Sequence, residues 1–127
     1  MDAAVSRLKS RPEFLRVAGV KRKWVAPGLV LQVRRRGPGD RRRGEIQEET
    51  PAIRVGFTVS RKVGNAVKRN RVRRRLRAAA GKVMPAQAKE GHDFVIIGRN
   101  ATLRRPFAAL LKDLETALKR LDALKLS

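Results

Sequence analysis

Between Lys62 and Arg77 the chain reads KVGNAVKRNRVRRRLR, and eight of these sixteen residues are lysine or arginine. Placed on a helix, Arg69, Arg73 and Arg77 stand four apart in one row and Asn70, Arg74 and Arg77 form the adjoining one. Their side chains then make one continuous cationic surface that Lys62, Lys68 and Arg71 extend. Like charges at this spacing repel by roughly a few tenths of a kcal/mol per pair, and no Asp or Glu occurs from Thr50 to Lys89 to relieve them. The chemistry that fits is recognition of a polyanion. Each neutralised phosphate releases condensed counterions, and a guanidinium offers a bidentate fork that an ammonium lacks. Asn65 and Asn70 interrupt the charge with groups that both donate and accept, suited to bases, 2′-hydroxyls or a hydrated ion such as Mg²⁺. A helix basic only for solubility fits less well, because soluble surfaces ordinarily mix the two signs.

These residues need elements to hold them. Val63, Val67, Val72 and Leu76 recur at helical intervals and predict an apolar stripe beneath the charge. Just upstream, AIRVGFTVS alternates from Ala52 to Ser60, with Ile53, Val55, Phe57 and Val59 on one face of a strand and Arg54, Gly56, Thr58 and Ser60 on the other. GLVLQVRRR predicts a strand with Leu29, Leu31 and Val33 opposite Val30, Gln32 and Arg34. HDFVIIGR is apolar on both faces, which suits a strand inside the sheet. Ser10 and Glu13 have capping-box spacing with Pro12 in the first turn, predicting a helix from Arg11 to Ala18 that Gly19 ends. Leu103, Phe107, Leu110, Leu111, Leu114, Leu118, Leu121 and Leu124 follow a helical period with Pro106 near its start, predicting a long closing helix. The segment 35–51, rich in Gly, Pro and mixed charge, reads as a mobile surface loop. The order is helix, strands, basic helix, strand, helix: a single two-layer α/β sandwich.

Composition narrows the function classes. The 127 residues fit one domain, and 32 Lys and Arg against 11 Asp and Glu give a net charge of +21. Such an imbalance attracts nucleic acid most strongly. No apolar run approaches the roughly 20 residues needed to span a bilayer, and the charge does not lie on one long surface helix. The absence of cysteine excludes disulfides and thiolate metal sites, and the N-terminus lacks a secretory apolar core, so a cytoplasmic protein is expected; the net charge of +21, which makes copies repel, leads to the expectation of a monomer. Nothing in the chain resembles catalytic equipment: His92, the only histidine, reads as structural, and no metal-ligand cluster, paired carboxylates or glycine-rich phosphate loop appears. Gly64 alone is weak evidence of a nucleotide site.

The stretch GFTVSRKVGNAVKRNRVRRRLR, Gly56 to Arg77, resembles the signature of the bacterial ribonuclease P protein subunit: an Arg-Asn-Arg triplet on a basic helix that follows a strand and a Lys-Val-Gly-Asn turn. RLKSRPEFLRV and DFVIIGR with the closing helix are similar to that family's two ends, so the resemblance covers nearly everything outside 35–51. It implies an α+β fold of αβββαβα-type order with a left-handed β-α-β crossover, against the usual right-handed rule. It also implies a non-catalytic subunit of an endoribonuclease, bound 1:1 to a catalytic RNA that uses Mg²⁺ to remove the 5′ leader of precursor tRNA. Arg69, Asn70 and Arg71 match the triplet facing that RNA, with Lys62, Asn65, Lys68, Arg73, Arg74 and Arg77 around it. Phe14 matches an aromatic of the leader cleft between the first helix and the sheet, Phe57 and Val59 its floor, and Arg61 its edge.

The chain departs from the family where a second cleft aromatic is common, at Ala18, and in the first long strand, where Gln32 stands at the leader-binding position. Since one base stacked on an aromatic is worth about 1 to 3 kcal/mol, leader affinity is expected to lean more on charge. Trp24 is a substitute platform or, more simply, packs at the strand entrance. A purely structural RNA binder of similar βαβ build is the competing function, and the ordered signature is what argues against it.

Overall fold

The computed structural model describes residues 4–37, 40 and 52–125, so most of the loop expected at 35–51 lies outside the described residues. Glu13 starts α1 (Arg11–Val20) much as its spacing predicts, its Oε1 accepting from the backbone N–H of Ser10 at 3.1 Å and of Lys9 at 2.6 Å. The helix does not stop at Gly19. It runs to Val20, and Lys21 takes the left-handed cap conformation at φ 62°, a position glycine occupies more cheaply.

Five strands form one mixed sheet in the order β1-β4-β5-β3-β2, built from β1 (Val5–Arg7), β2 (Lys23–Val25), β3 (Leu29–Arg35), β4 (Ile53–Thr58) and β5 (His92–Gly98). β1 and β5 flank β4 in parallel, while β3 runs antiparallel to both β5 and β2. The apolar run of β5 is central, as its two apolar faces require. The sequence pattern does not announce β1 and β2, because three residues are too few to show a period. The fold is thus α+β in the expected αβββαβα order with one short edge strand, β1, added ahead of α1.

Two helices cover one face of this sheet. α2 (Ala66–Gln87) links the parallel neighbours β4 and β5, and α3 (Phe107–Arg120) closes the chain. Val72, Leu76, Val83, Leu110, Leu114 and Leu118 pack with Leu29, Leu31, Ile53, Val55, Phe94 and Ile96 in the main core. Val67 is not part of this stripe; it is 61% exposed, because Val63 belongs to a separate 3₁₀ turn at Arg61–Val63 and the helical count begins only at Ala66. The closing apolar run likewise splits: Leu103 lies in a 3₁₀ turn, Pro106 is the N-cap of α3, Leu121 its C-cap, and Leu124 bridges to Ala88. α1 covers part of the opposite face, where Leu8, Phe14, Val17, Val95 and Ile97 form a smaller cluster.

Candidate nucleic-acid interface

Strand alternation and register sort the α1 face into rows that cross the sheet. The first is Arg54, Asp93 and Arg34; the second is Gly56, Val95, Gln32 and Lys23; the third is Thr58, Ile97, Val30 and Val25. Glu13 of α1 reaches Arg54, Phe14 lies on Gly56, and Val17 packs on Val95. The third row is left half-buried or exposed beside the helix. A cleft lined by Lys9, Ser10, Arg11, Phe14, Leu15 and Thr58 follows. It offers an aromatic wall, an apolar floor and a basic rim, a combination that suits a single nucleic-acid strand: bases stack on the ring and cations track the backbone.

Two expected floor residues are elsewhere. Phe57 and Val59 turn to the face covered by α2 and α3 and pack into the main core, since the alternation that groups them with Ile53 and Val55 also points them away from α1. Thr58 floors the cleft instead, next to the Gly56 backbone that Phe14 covers. Phe57 still reaches the rim of a hollow at the open edge of β4, where it meets Arg7, Phe14, Arg73 and Arg77. That hollow joins the α1 cleft to the cationic face of α2. Gln32 lies in the second row, half-buried on the α1 face, whereas Trp24 pairs with Leu31 and so projects on the other face, where Arg120 stacks on its ring at 5.4 Å. Trp24 therefore does not replace the missing cleft aromatics.

A buried ion network anchors the cleft. Arg54 is wholly buried; its Nε and Nη2 donate to the two carboxylate oxygens of Asp93 at 2.7 and 2.6 Å, and its Nη1 donates to Glu13 at 3.1 Å. A guanidinium taken out of water needs such complete pairing. The strand pattern marks Arg54 only as a residue of its polar side. Its acidic partners are far apart in sequence, in α1 and β5, so no local spacing announces them.

On α2 the arginines are in the opposite condition. Asn65 caps the helix, its Oδ1 accepting from Lys68 N–H at 2.9 Å, and Lys68, Asn70, Arg71, Arg74 and Arg77 are exposed while Arg69 and Arg73 are half-buried. Arg73 donates to Asn70 Oδ1 at 3.1 Å, which orients both toward the same surface. Arg75, by contrast, is spent internally, donating to the carbonyls of Thr102 and Leu103 at 2.6 and 2.8 Å. Exposed Arg61 and Lys62 follow β4 directly. Parallel pairing of β4 with β5 brings Ser60 and Lys62 to a shallow hollow with Arg99, Asn100 and Arg104; Arg99 ends the HDFVIIGR pattern, and no motif marks Asn100 and Arg104 beyond it.

Among the described residues no three His, Cys, Asp or Glu side chains gather as metal ligands. Asn65 and Asn70 have each committed their carbonyl oxygen to a protein donor. The lysine and arginine side chains that α2 turns to solvent present N–H donors, which suit anions. His92 is 9% exposed with Nδ1 at 2.7 Å from the Glu90 carbonyl oxygen; burial, with Lys89, Arg22 and Arg35 nearby, holds its imidazole below the usual histidine pKa. No helix among the described residues is long and apolar enough to cross a membrane.

Comparison with known proteins agrees with this geometry. The family model for Ribonuclease P matches residues 3–122. The chain is 54% identical over 125 residues to the Ribonuclease P protein component of Paramagnetospirillum magneticum, covering 98% of this chain and 89% of that protein. It is 45% identical to the protein of the same name from Ruegeria pomeroyi, covering 98% and 92%. The solved structure of the RNase P protein from Thermotoga maritima superposes with a TM-score of 0.69 at 25% identity, over 91% of this chain and 96% of that one.

Proposed function

The chain belongs to the ribonuclease P protein family, a component that works with ribonuclease P RNA in tRNA 5′ processing, and from that premise we propose how its two surfaces divide the work. The α2 face binds the RNA subunit through Arg69, Asn70 and Arg71, with Lys62, Asn65, Lys68, Arg73, Arg74 and Arg77 beside them. The α1 cleft holds the single-stranded 5′ leader of precursor tRNA against Phe14, between Thr58, Gln32 and the basic rim at Lys9, Arg11 and Arg61. Phosphodiester hydrolysis belongs to the RNA and to Mg²⁺ that the RNA holds; the protein's carboxylates at Glu13, Asp93 and Asp113 are engaged with arginines and leave no built cation site among the described residues. The protein is a monomer bound 1:1 to the RNA.

The observation that carries this reading is the adjacency of the two surfaces. Arg73 and Arg77 of α2 and the Phe14 ring of α1 border one hollow at the sheet edge, so a strand leaving the cleft passes directly onto the cationic face. Because mature tRNA has no leader, contact at Phe14 favours substrate over product, and that difference in affinity is the source of specificity. The test is to isolate the protein from cells and identify its bound RNA. One non-ribosomal RNA that supports Mg²⁺-dependent cleavage of precursor tRNA is expected; recovery with ribosomes alone, or cleavage by the protein stripped of RNA, would overturn the assignment.

A further inference from the structure

The position of the Phe14 ring is itself determined by residues that touch no nucleic acid in this reading. Gly56 lies directly beneath it in the second row of the sheet, and a Cβ built on Gly56 overlaps Cε1 and Cζ of Phe14 and comes within 3.0 Å of Leu8. The ring therefore rests on bare backbone. It cannot retreat along α1 either. Glu13, the residue before it, is 4% exposed and held by the N–H groups of Lys9 and Ser10 and by Arg54, two residues from Gly56 on the same face of β4. Arg54 is in turn fixed by Asp93 of the central strand. The first turn of α1 is thus clamped to the sheet at Arg54 while the ring settles into the space that Gly56 leaves.

We infer that Gly56 and the Arg54–Glu13 pair are positioning residues that set the depth of the Phe14 ring in the cleft, and through it the preference for leader-bearing tRNA. This rests on the leader reading given above. A methyl group at residue 56 drives the ring outward into the space the strand would occupy, so the wall and the opening of the cleft both change, while of the α2 cations only Arg73 and Arg77 border the hollow in which the ring moves. The glycine is required by that close approach and not by an unusual backbone angle, since β4 is ordinary extended strand there.

The experiment assembles wild-type, Phe14→Ala, Gly56→Ala and Gly56→Ala/Phe14→Ala proteins with the RNA subunit at matched occupancy and measures affinity for precursor and mature tRNA. Gly56→Ala is expected to weaken precursor binding by roughly five- to a hundred-fold, the range of one base stack removed, with mature tRNA unchanged. In the Phe14→Ala background the same substitution is expected to add almost nothing. In protein carrying 4-fluorophenylalanine at its four Phe positions, the ¹⁹F resonance absent from Phe14→Leu should move toward its solvent-exposed value in Gly56→Ala. If Gly56→Ala alone does not fold, recovery of folding in the double variant establishes the steric link and its failure overturns it. A wild-type precursor-to-mature ratio in folded Gly56→Ala, beside a collapsed ratio in Phe14→Ala, refutes the positioning role and leaves leader recognition standing. An unchanged ratio in Phe14→Ala refutes leader recognition and the inference with it.

Discussion

Arg54 and the arginines of α2 are the same side chain in opposite surroundings. Arg54 is fully buried and closes its charge on Asp93 and Glu13. Arg71, Arg74 and Arg77 are exposed in a stretch of forty residues, 50–89, that contains no acid. The first arrangement holds α1 on the sheet, and removing one partner strands buried charge. The second contributes nothing to folding and costs a little, because like charges crowd one face. Arg75 lies between these extremes: it shares α2 with the open arginines yet donates to the carbonyls of the turn before α3. What separates the structural arginines from those proposed to bind RNA is where the acceptors lie, inside the molecule or outside it.

That contrast is broken most severely at Arg54. Arg54→Ala should lower unfolding free energy by about 3 to 5 kcal/mol, because Asp93 and Glu13 stay behind without their main partner; chemical denaturation measures it, and a loss near zero would show that the network is not what fixes α1. Arg75→Ala should cost less, about 1 to 3 kcal/mol, for two carbonyls left without their donor. Arg74→Ala, one helical position away, should stay within about 0.5 kcal/mol of wild type while weakening RNA binding. The smallest effect is one of pH. Burial keeps His92 below the histidine value of about 6.5 expected when unfolded, so the unfolded chain binds the proton first. Stability should therefore fall as pH drops below about 6.5, and His92→Gln should fall less steeply over the same range; identical slopes would remove the histidine from the account.

Much of this is legible in the chain. Alternation in AIRVGFTVS assigns every residue of β4 to the correct face, and the acid-free run marks α2 without reference to any partner. Alternation gives two faces but does not say which layer covers each, so the cleft floor expected at Phe57 and Val59 falls to Thr58, and the two apolar residues face α2 and α3. Nothing in the sequence marks Arg54 as a buried anchor, because its partners lie in α1 and β5, joined only by sheet register and helix docking. β1 and β2 are three residues each, and pairing with β4 and β3 rather than local preference makes them strands. The Arg-Asn-Arg triplet is readable because its helix needs no distant residue to define it.

The central claim is that location, not charge count, makes α2 the RNA-binding face. The direct measurement is affinity of the protein for the RNA subunit against monovalent salt, for wild type, Arg69→Ala/Arg71→Ala, and Lys112→Ala/Lys119→Ala, which removes two exposed charges from α3. Wild type should show a steep log–log decline, since each neutralised phosphate releases counterions. The α2 pair should bind more weakly at every salt concentration with a slope shallower by about two, one for each phosphate no longer neutralised, and the α3 pair should follow wild type. Equal reductions of affinity and slope in both double variants would contradict the account and leave only a generally basic protein.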